Sequence, residues 1–70
     1  MEMEPFVQRM IEEEKDLRAK IAALNAFSST PPFIGLSPFE QFALLTQRDA
    51  MEMYHGILGA RIRFYQQKAS

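Results

Sequence analysis

Apolar residues recur at Met3, Val7, Met10, Leu17, Ile21 and Leu24, a three-four alternation broken only by Glu14 that keeps to one face of a helix. Gln8, Glu12, Lys15, Arg18 and Asn25 fall on the other side and read as a solvated face. No glycine interrupts this run, and its one proline, Pro5, suits a first helical turn. The pattern predicts an amphipathic helix over about 4–27. Ser28-Ser29-Thr30-Pro31-Pro32 must end it, because proline lacks a donor and disfavours the helical region for the residue before it. The chain is therefore expected to run extended as far as Gly35. Ser37-Pro38-Phe39-Glu40 then reads as a capping box with proline at the first helical position. The Ser37 oxygen can accept from the Glu40 amide while the Glu40 carboxylate reaches back. A second helix is predicted from 38 to about 67, roughly 45 Å long at 1.5 Å per residue.

That second helix is unusually apolar. One heptad stripe runs Phe39, Ala43, Thr46, Ala50, Met53, Ile57, Ala60, Phe64, and a neighbouring one Leu44, Gln47, Met51, Tyr54, Leu58, Arg61, Tyr65. Only the side carrying Gln41, Arg48, Glu52, His55, Arg63 and Gln66 is consistently polar. A shorter partner helix can cover one stripe and must leave the other in water, which soluble monomers rarely tolerate. The expected fold is all-α: a two-helix antiparallel hairpin, one domain over residues 1–70, with helices at about 4–27 and 38–67 joined by the proline-rich linker 28–37. It should assemble into a homo-oligomeric helical bundle.

Composition sharpens this picture. Seventy residues form a marginal core by themselves, and the absence of cysteine removes disulfides and thiolate zinc sites as supports. A partner chain or a metal held by other ligands is what is left. A formal net charge of −1 argues against a nucleic-acid duplex as ligand, since such binding usually shows a strongly basic face. The acidic start Met1-Glu2-Met3-Glu4 is not followed by an apolar signal core, and no apolar run reaches the roughly 18 residues of a membrane span. The expected location is the cytoplasm.

Several residues invite a chemical role. Gly56 and Gly59 each cost a helix interior roughly 1 kcal/mol relative to alanine, which points to a close approach by a ligand or another backbone, to tight helix packing, or to a tolerated weak turn, with packing the leading reading. The acidic first half of helix one and the basic end of helix two complement the helix dipoles. Arg61, within an apolar stripe, must meet a carboxylate, a carbonyl or an anionic ligand, and Glu14, on an apolar face, raises the same question; a Glu14–Arg61 pair, within or between chains, is the plain solution. Glu52-Met53-Tyr54-His55 has the Glu-x-x-His spacing of di-iron helical bundles, and a dimer of hairpins could complete such a site with Glu14, which counting outward from Phe27 and Ser37 puts about level with Met51; against it, Glu52 and His55 fall on the polar side, whereas such a site must project inward. Nucleophilic catalysis finds no support: there is no cysteine, no serine lies near the single histidine in sequence, and there is no glycine-rich phosphate loop. Any ligand site must form where chains meet, from residues such as Phe6, Arg9, Lys20, Thr30, Arg61 and Tyr65. Aromatics can stack on bases while cations hold phosphates, although packing explains each aromatic equally well.

The run from Phe6 to Leu17, the helix end Ile21-Ala22-Ala23-Leu24-Asn25-Ala26-Phe27, the segment Phe33-Ile34-Gly35-Leu36-Ser37-Pro38-Phe39-Glu40-Gln41, and Leu44, Leu45, Gln47, Met51, Tyr54, Leu58, Arg61 and Ile62 together resemble the small phage anti-CBASS sponge family. CBASS is the bacterial cyclic-oligonucleotide-based anti-phage signalling system. The resemblance covers about residues 5–65 and contains no catalytic motif. It implies a helical hairpin assembled into a hexamer that sequesters cyclic dinucleotides, in some members also cyclic trinucleotides, without cleaving them, in the cytoplasm of an infected bacterium. It implies dinucleotide pockets between protomers built on an aromatic near the start of helix one, matched by Phe6, and a lysine further along it, matched by Lys20. A trinucleotide site would use an arginine of the long helix, matched by Arg61. No catalytic residue, metal or cofactor is expected. A ligand-free structural or protein-binding hairpin and a di-iron carboxylate bundle are the competing readings.

Overall fold

A computed structural model describes residues 5–69. Helix α1 spans Pro5–Phe27, α2 Pro31–Ile34 and α3 Pro38–Ala69, with no strand among the described residues. Met3 and Glu4, at the start of the predicted apolar face, lie outside them. The rest of that face behaves as its spacing requires: Val7, Met10 and Leu17 are buried, and Ile21 and Leu24 are half-buried. Dipole complementarity holds for α3, which has Glu40 in its first turn and Lys68 in its last. The described first turn of α1 has no acidic residue.

The linker is a correction to the sequence reading, because it is not extended. Thr30 adopts φ −101° and ψ 155°, the extended conformation that a following proline demands, but Pro31 and Pro32 then open a helical turn. Proline suits that position because the first turn of a helix needs no N–H donor. Upstream, the Thr30 hydroxyl donates to the Phe27 carbonyl at 2.6 Å and the Ser28 hydroxyl to that of Asn25 at 2.7 Å, satisfying carbonyls that the end of α1 leaves open. Phe27 and Phe33 meet edge to face at 6.0 Å. Downstream, the Gln41 side-chain amide shares its two protons among the carbonyls of Phe33, Ile34 and Leu36, at 3.2, 3.0 and 3.2 Å. One side chain therefore holds the linker against α3. The Glu40 amide donates to Ser37 Oγ at 3.2 Å, which is the amide half of the capping box.

Helices α1 and α3 run antiparallel. Phe6 touches Tyr65, Glu14 touches His55 and Asn25 touches Arg48, so ascending positions on α1 meet descending ones on α3. Val7, Met10, Leu58 and Ile62 form the core, flanked by Ile11 and Tyr65, and Leu58 is its most enclosed member at 1% exposure.

The seam on α3 differs from the predicted stripes. Leu44, Met51, Leu58 and Tyr65 of the second stripe face α1, but so do Arg48, His55 and Ile62 on its shoulder. Arg48 and His55 were expected on the solvated side. They are accommodated because each finds a polar partner across the seam: Arg48 donates to Asn25 Oδ1 at 3.4 Å, and His55 Nε2 lies 2.6 Å from Glu14 Oε2. The register also shifts by about one turn. Counting outward from the two helix ends places Glu14 level with Met51, whereas it meets His55, because the first turns of α3 fold against the linker and project beyond the end of α1.

The first stripe stays open. Phe39 is 75% exposed and Met53 72%, with Ile57 and Phe64 also exposed and only Ala43 half-buried, along a rod 51 Å long and about 15 Å thick; Phe42, beside the stripe, is exposed too.

Two stability measurements follow from this packing. Leu58→Ala should cost on the order of 2–5 kcal/mol per chain in chemical denaturation, as truncation in a closed core does. A double-mutant cycle on Glu14→Ala and His55→Ala should return a coupling of about 1 kcal/mol at neutral pH, modest because both side chains keep some water contact.

Candidate ligand-binding site

The sequence places Phe6 in the first described turn of α1, and antiparallel packing brings the last turns of α3 against it. The Phe6 and Tyr65 rings meet edge to face, 5.0 Å between centroids at 86°. Tyr65 in turn meets Phe64 at 5.2 Å and 79°, and the Lys68 ammonium lies 5.9 Å from the Phe64 centroid. Three rings and a cation thus form a row across the end of the helix pair. Phe6 is 37% exposed, so part of its ring is open to a visitor.

Arg61 lies one helical turn before Tyr65 and is exposed. The in-chain Glu14–Arg61 pair expected from sequence does not form. Glu14 is taken by His55 at 2.6 Å and by Arg18 at 3.8 Å, because the register sets His55 opposite it. Among the described residues Arg61 has no ion-pair partner, and neither has Lys20. Both guanidinium and ammonium are therefore solvated and available to an anion.

Lys20 is not brought to Phe6 within the chain. The two are fourteen positions apart on α1, about 21 Å along the axis, and within about 40° of the same azimuth. Both look out from one side of α1 at separate heights. Of the three residues singled out, Phe6 and Arg61 share an end of the molecule and Lys20 lies near its middle.

A second feature lies between them. A shallow groove of about 290 Å³ runs over the seam, lined by Ile11, Glu14, His55, Gly59, Ile62 and Arg63, among others. His55 donates from Nε2 to the Glu14 carboxylate in either its charged form or its Nε2-protonated neutral form. Sequence reasoning missed this pair. The signal was present in Glu14 interrupting an apolar face, but its partner depended on how far α3 overshoots α1. The bond brings together His55 and Glu14, two of the side chains a di-iron site would draw on, while Glu52 is exposed; within one chain no group of three or more metal-ligating side chains forms among the described residues. Nor, among them, is any helix long and apolar enough to cross a membrane.

Comparison with known proteins gives one result. Residues 4–64 match the Sequestin family, a span that takes in all of α1, the linker and α3 as far as Phe64. No curated protein and no solved structure matches. The match covers Phe6, Lys20 and Arg61, agrees with the sponge resemblance read from the same residues, and carries a name that denotes sequestration. The chain belongs to the Sequestin family.

Proposed function

We propose that this protein sequesters cyclic oligonucleotide messengers, dinucleotides and also trinucleotides, without cleaving them. It does so in crevices formed where copies of the chain assemble, as a hexamer by the family resemblance. In the cytoplasm of an infected bacterium such trapping would keep CBASS effectors silent. The observation that carries this reading is that Phe6, Lys20 and Arg61 are all exposed, the two cations without an ion-pair partner among the described residues. Phe6 and Lys20 stand about 21 Å apart along α1, so a compact ligand that stacks a base on one and rests a phosphate on the other is best served by residues of two chains, which antiparallel α1 helices of neighbouring copies would supply. Arg61, without an ion-pair partner among the described residues, would serve the larger ligand.

The open stripe of α3 gives copies a reason to meet. Phe39, Met53, Ile57 and Phe64 recur at heptad spacing and are exposed, the pattern of a helix seam awaiting a partner. The glycines support the same reading. A Cβ built at Gly56 meets nothing within 4 Å, and one at Gly59 meets only the flexible Arg63 guanidinium at 3.5 Å. Neither glycine is required by packing inside the chain, so the helix propensity they forfeit is compensated by a close approach from outside it. Non-enzymatic trapping also suits the side chains available, since holding an anion needs cations and rings but no nucleophile.

Calorimetry with a cyclic dinucleotide should show saturable binding with the ligand recovered intact, and Lys20→Ala should weaken it at least tenfold. A panel of cyclic nucleotides that gives no heat while the oligomer persists would instead make the chain a structural helical module. Gly56→Ala should shift the sedimentation equilibrium toward smaller species. If no copy approaches there, the same change would stabilise the helix by about 1 kcal/mol and leave the assembly intact.

A further inference from the structure

Charge is distributed beside the open stripe of α3 in a pattern that a second α3, run in the opposite direction, complements. From Phe39 to Phe64 the stripe is apolar apart from Thr46, whose hydroxyl already donates to the Phe42 carbonyl at 2.8 Å. One flank carries Asp49, Gly56 and Arg63 at seven-residue intervals, all exposed. The other carries Glu40, Gln47, Tyr54, Arg61 and Lys68 at the same interval, also exposed. On each flank the acid precedes the midpoint and the bases follow it. Glu40, Arg63 and Lys68 have no ion-pair partner among the described residues. Asp49 lies 3.4 Å from Arg48, yet its side chain stays 68% exposed.

We propose that α3 pairs antiparallel with the α3 of a second copy, about a twofold axis level with Tyr54 and Gly56, and that two Asp49–Arg63 pairs between the chains set this register. The inference rests on the reading that copies of the chain meet through the open stripe. Asp49 stands seven positions before Gly56 and Arg63 seven after it, so a helix reversed about that level sets one opposite the other, and the twofold repeats the pair. Glu40 and Lys68 are likewise placed fourteen positions either side of Tyr54. The same alignment brings Met53 beside Ile57, Ala50 beside Ala60 and Thr46 beside Phe64, with the two flanks in step to within about 3 Å along the axis. Gly56 meets its own counterpart, where any side chain would be present twice, and a Cβ built there touches nothing in its own chain within 4 Å. Parallel copies would instead set Arg63 beside Lys68, like against like. Arg61 falls opposite the uncharged Gln47, so its cation is left for an anion.

The chain has no cysteine, so introduced thiols report the pairing without background. Ala50→Cys mixed with Ala60→Cys should give disulfide-linked dimers on mild oxidation, and neither variant should do so alone. Asp49→Arg and Arg63→Asp should each weaken assembly about tenfold or more in sedimentation equilibrium, because like charges then face one another. Mixing the two charge variants, or placing both changes in one chain, should restore the mass of the unmodified protein. Cross-linking of Ala50→Cys to itself, no cross-link in the mixture, or charge variants of unchanged mass would overturn the antiparallel pairing and leave assembly and sequestration standing. An unmodified protein that sediments as a monomer would overturn both the pairing and the assembly it rests on.

Discussion

A helix in a two-helix pair can hide only the stripe that faces its neighbour, and α3 carries two apolar stripes side by side. Helix α1 has one such face, and it settles over Leu58 and Ile62, leaving Phe39, Met53, Ile57 and Phe64 uncovered. The excess of apolar helix surface over what one partner can cover governs the rest of the molecule. It makes a layer about 15 Å thick too thin to enclose a ligand, so any enclosed site has to be made by more than one copy. It also gives meaning to glycines that a lone chain would be better without.

The polar groups of the seam are arranged around the same constraint. Because α1 lies partly over the shoulder of α3 and not squarely on one stripe, Arg48 and His55 are drawn under it. Burying either without a partner would be costly, and Asn25 and Glu14 supply those partners. The Glu14–His55 bond supports the register that the core contacts set, since a displacement of one turn toward the start of α3 would put the carboxylate against Met51. At the linker end, Gln41 does a comparable job by satisfying the carbonyls that close α2. Register and linker together decide which turn of α3 lies opposite Phe6, and hence that Tyr65 forms the other half of the aromatic pair.

The separation of site residues follows from these choices. Phe6, Tyr65 and Arg61 gather at the end where α1 begins and α3 ends, while Lys20 stays near mid-length on the same side of α1 as Phe6. On the proposed function, this arrangement would distribute each pocket over two chains and make ligand capture depend on assembly. The groove over His55 is open, and Glu14 and His55 in its lining already satisfy one another.

Much of this could be read from residue order alone. The three-four spacing from Val7 to Leu24, the absence of glycine, and Ser37-Pro38 before Glu40 determine two helices and their limits, because those signals act within a few residues of chain. The double stripe of α3 likewise shows that apolar surface exceeds what one partner can cover, since counting stripes needs no knowledge of the partner's position. Tertiary structure alone decided whether the prolines would straighten the linker or start a turn, which of α3's faces met α1, and that Glu14 would be answered by His55 and not Arg61. These outcomes depend on the relative rotation and sliding of two helices, quantities set by the summed contacts of Val7, Met10, Leu58 and Ile62 and carried by no local signal. A one-turn slip changes every cross-helix partner while leaving each helix unaltered, so helix identity was legible in the sequence and partnership was not.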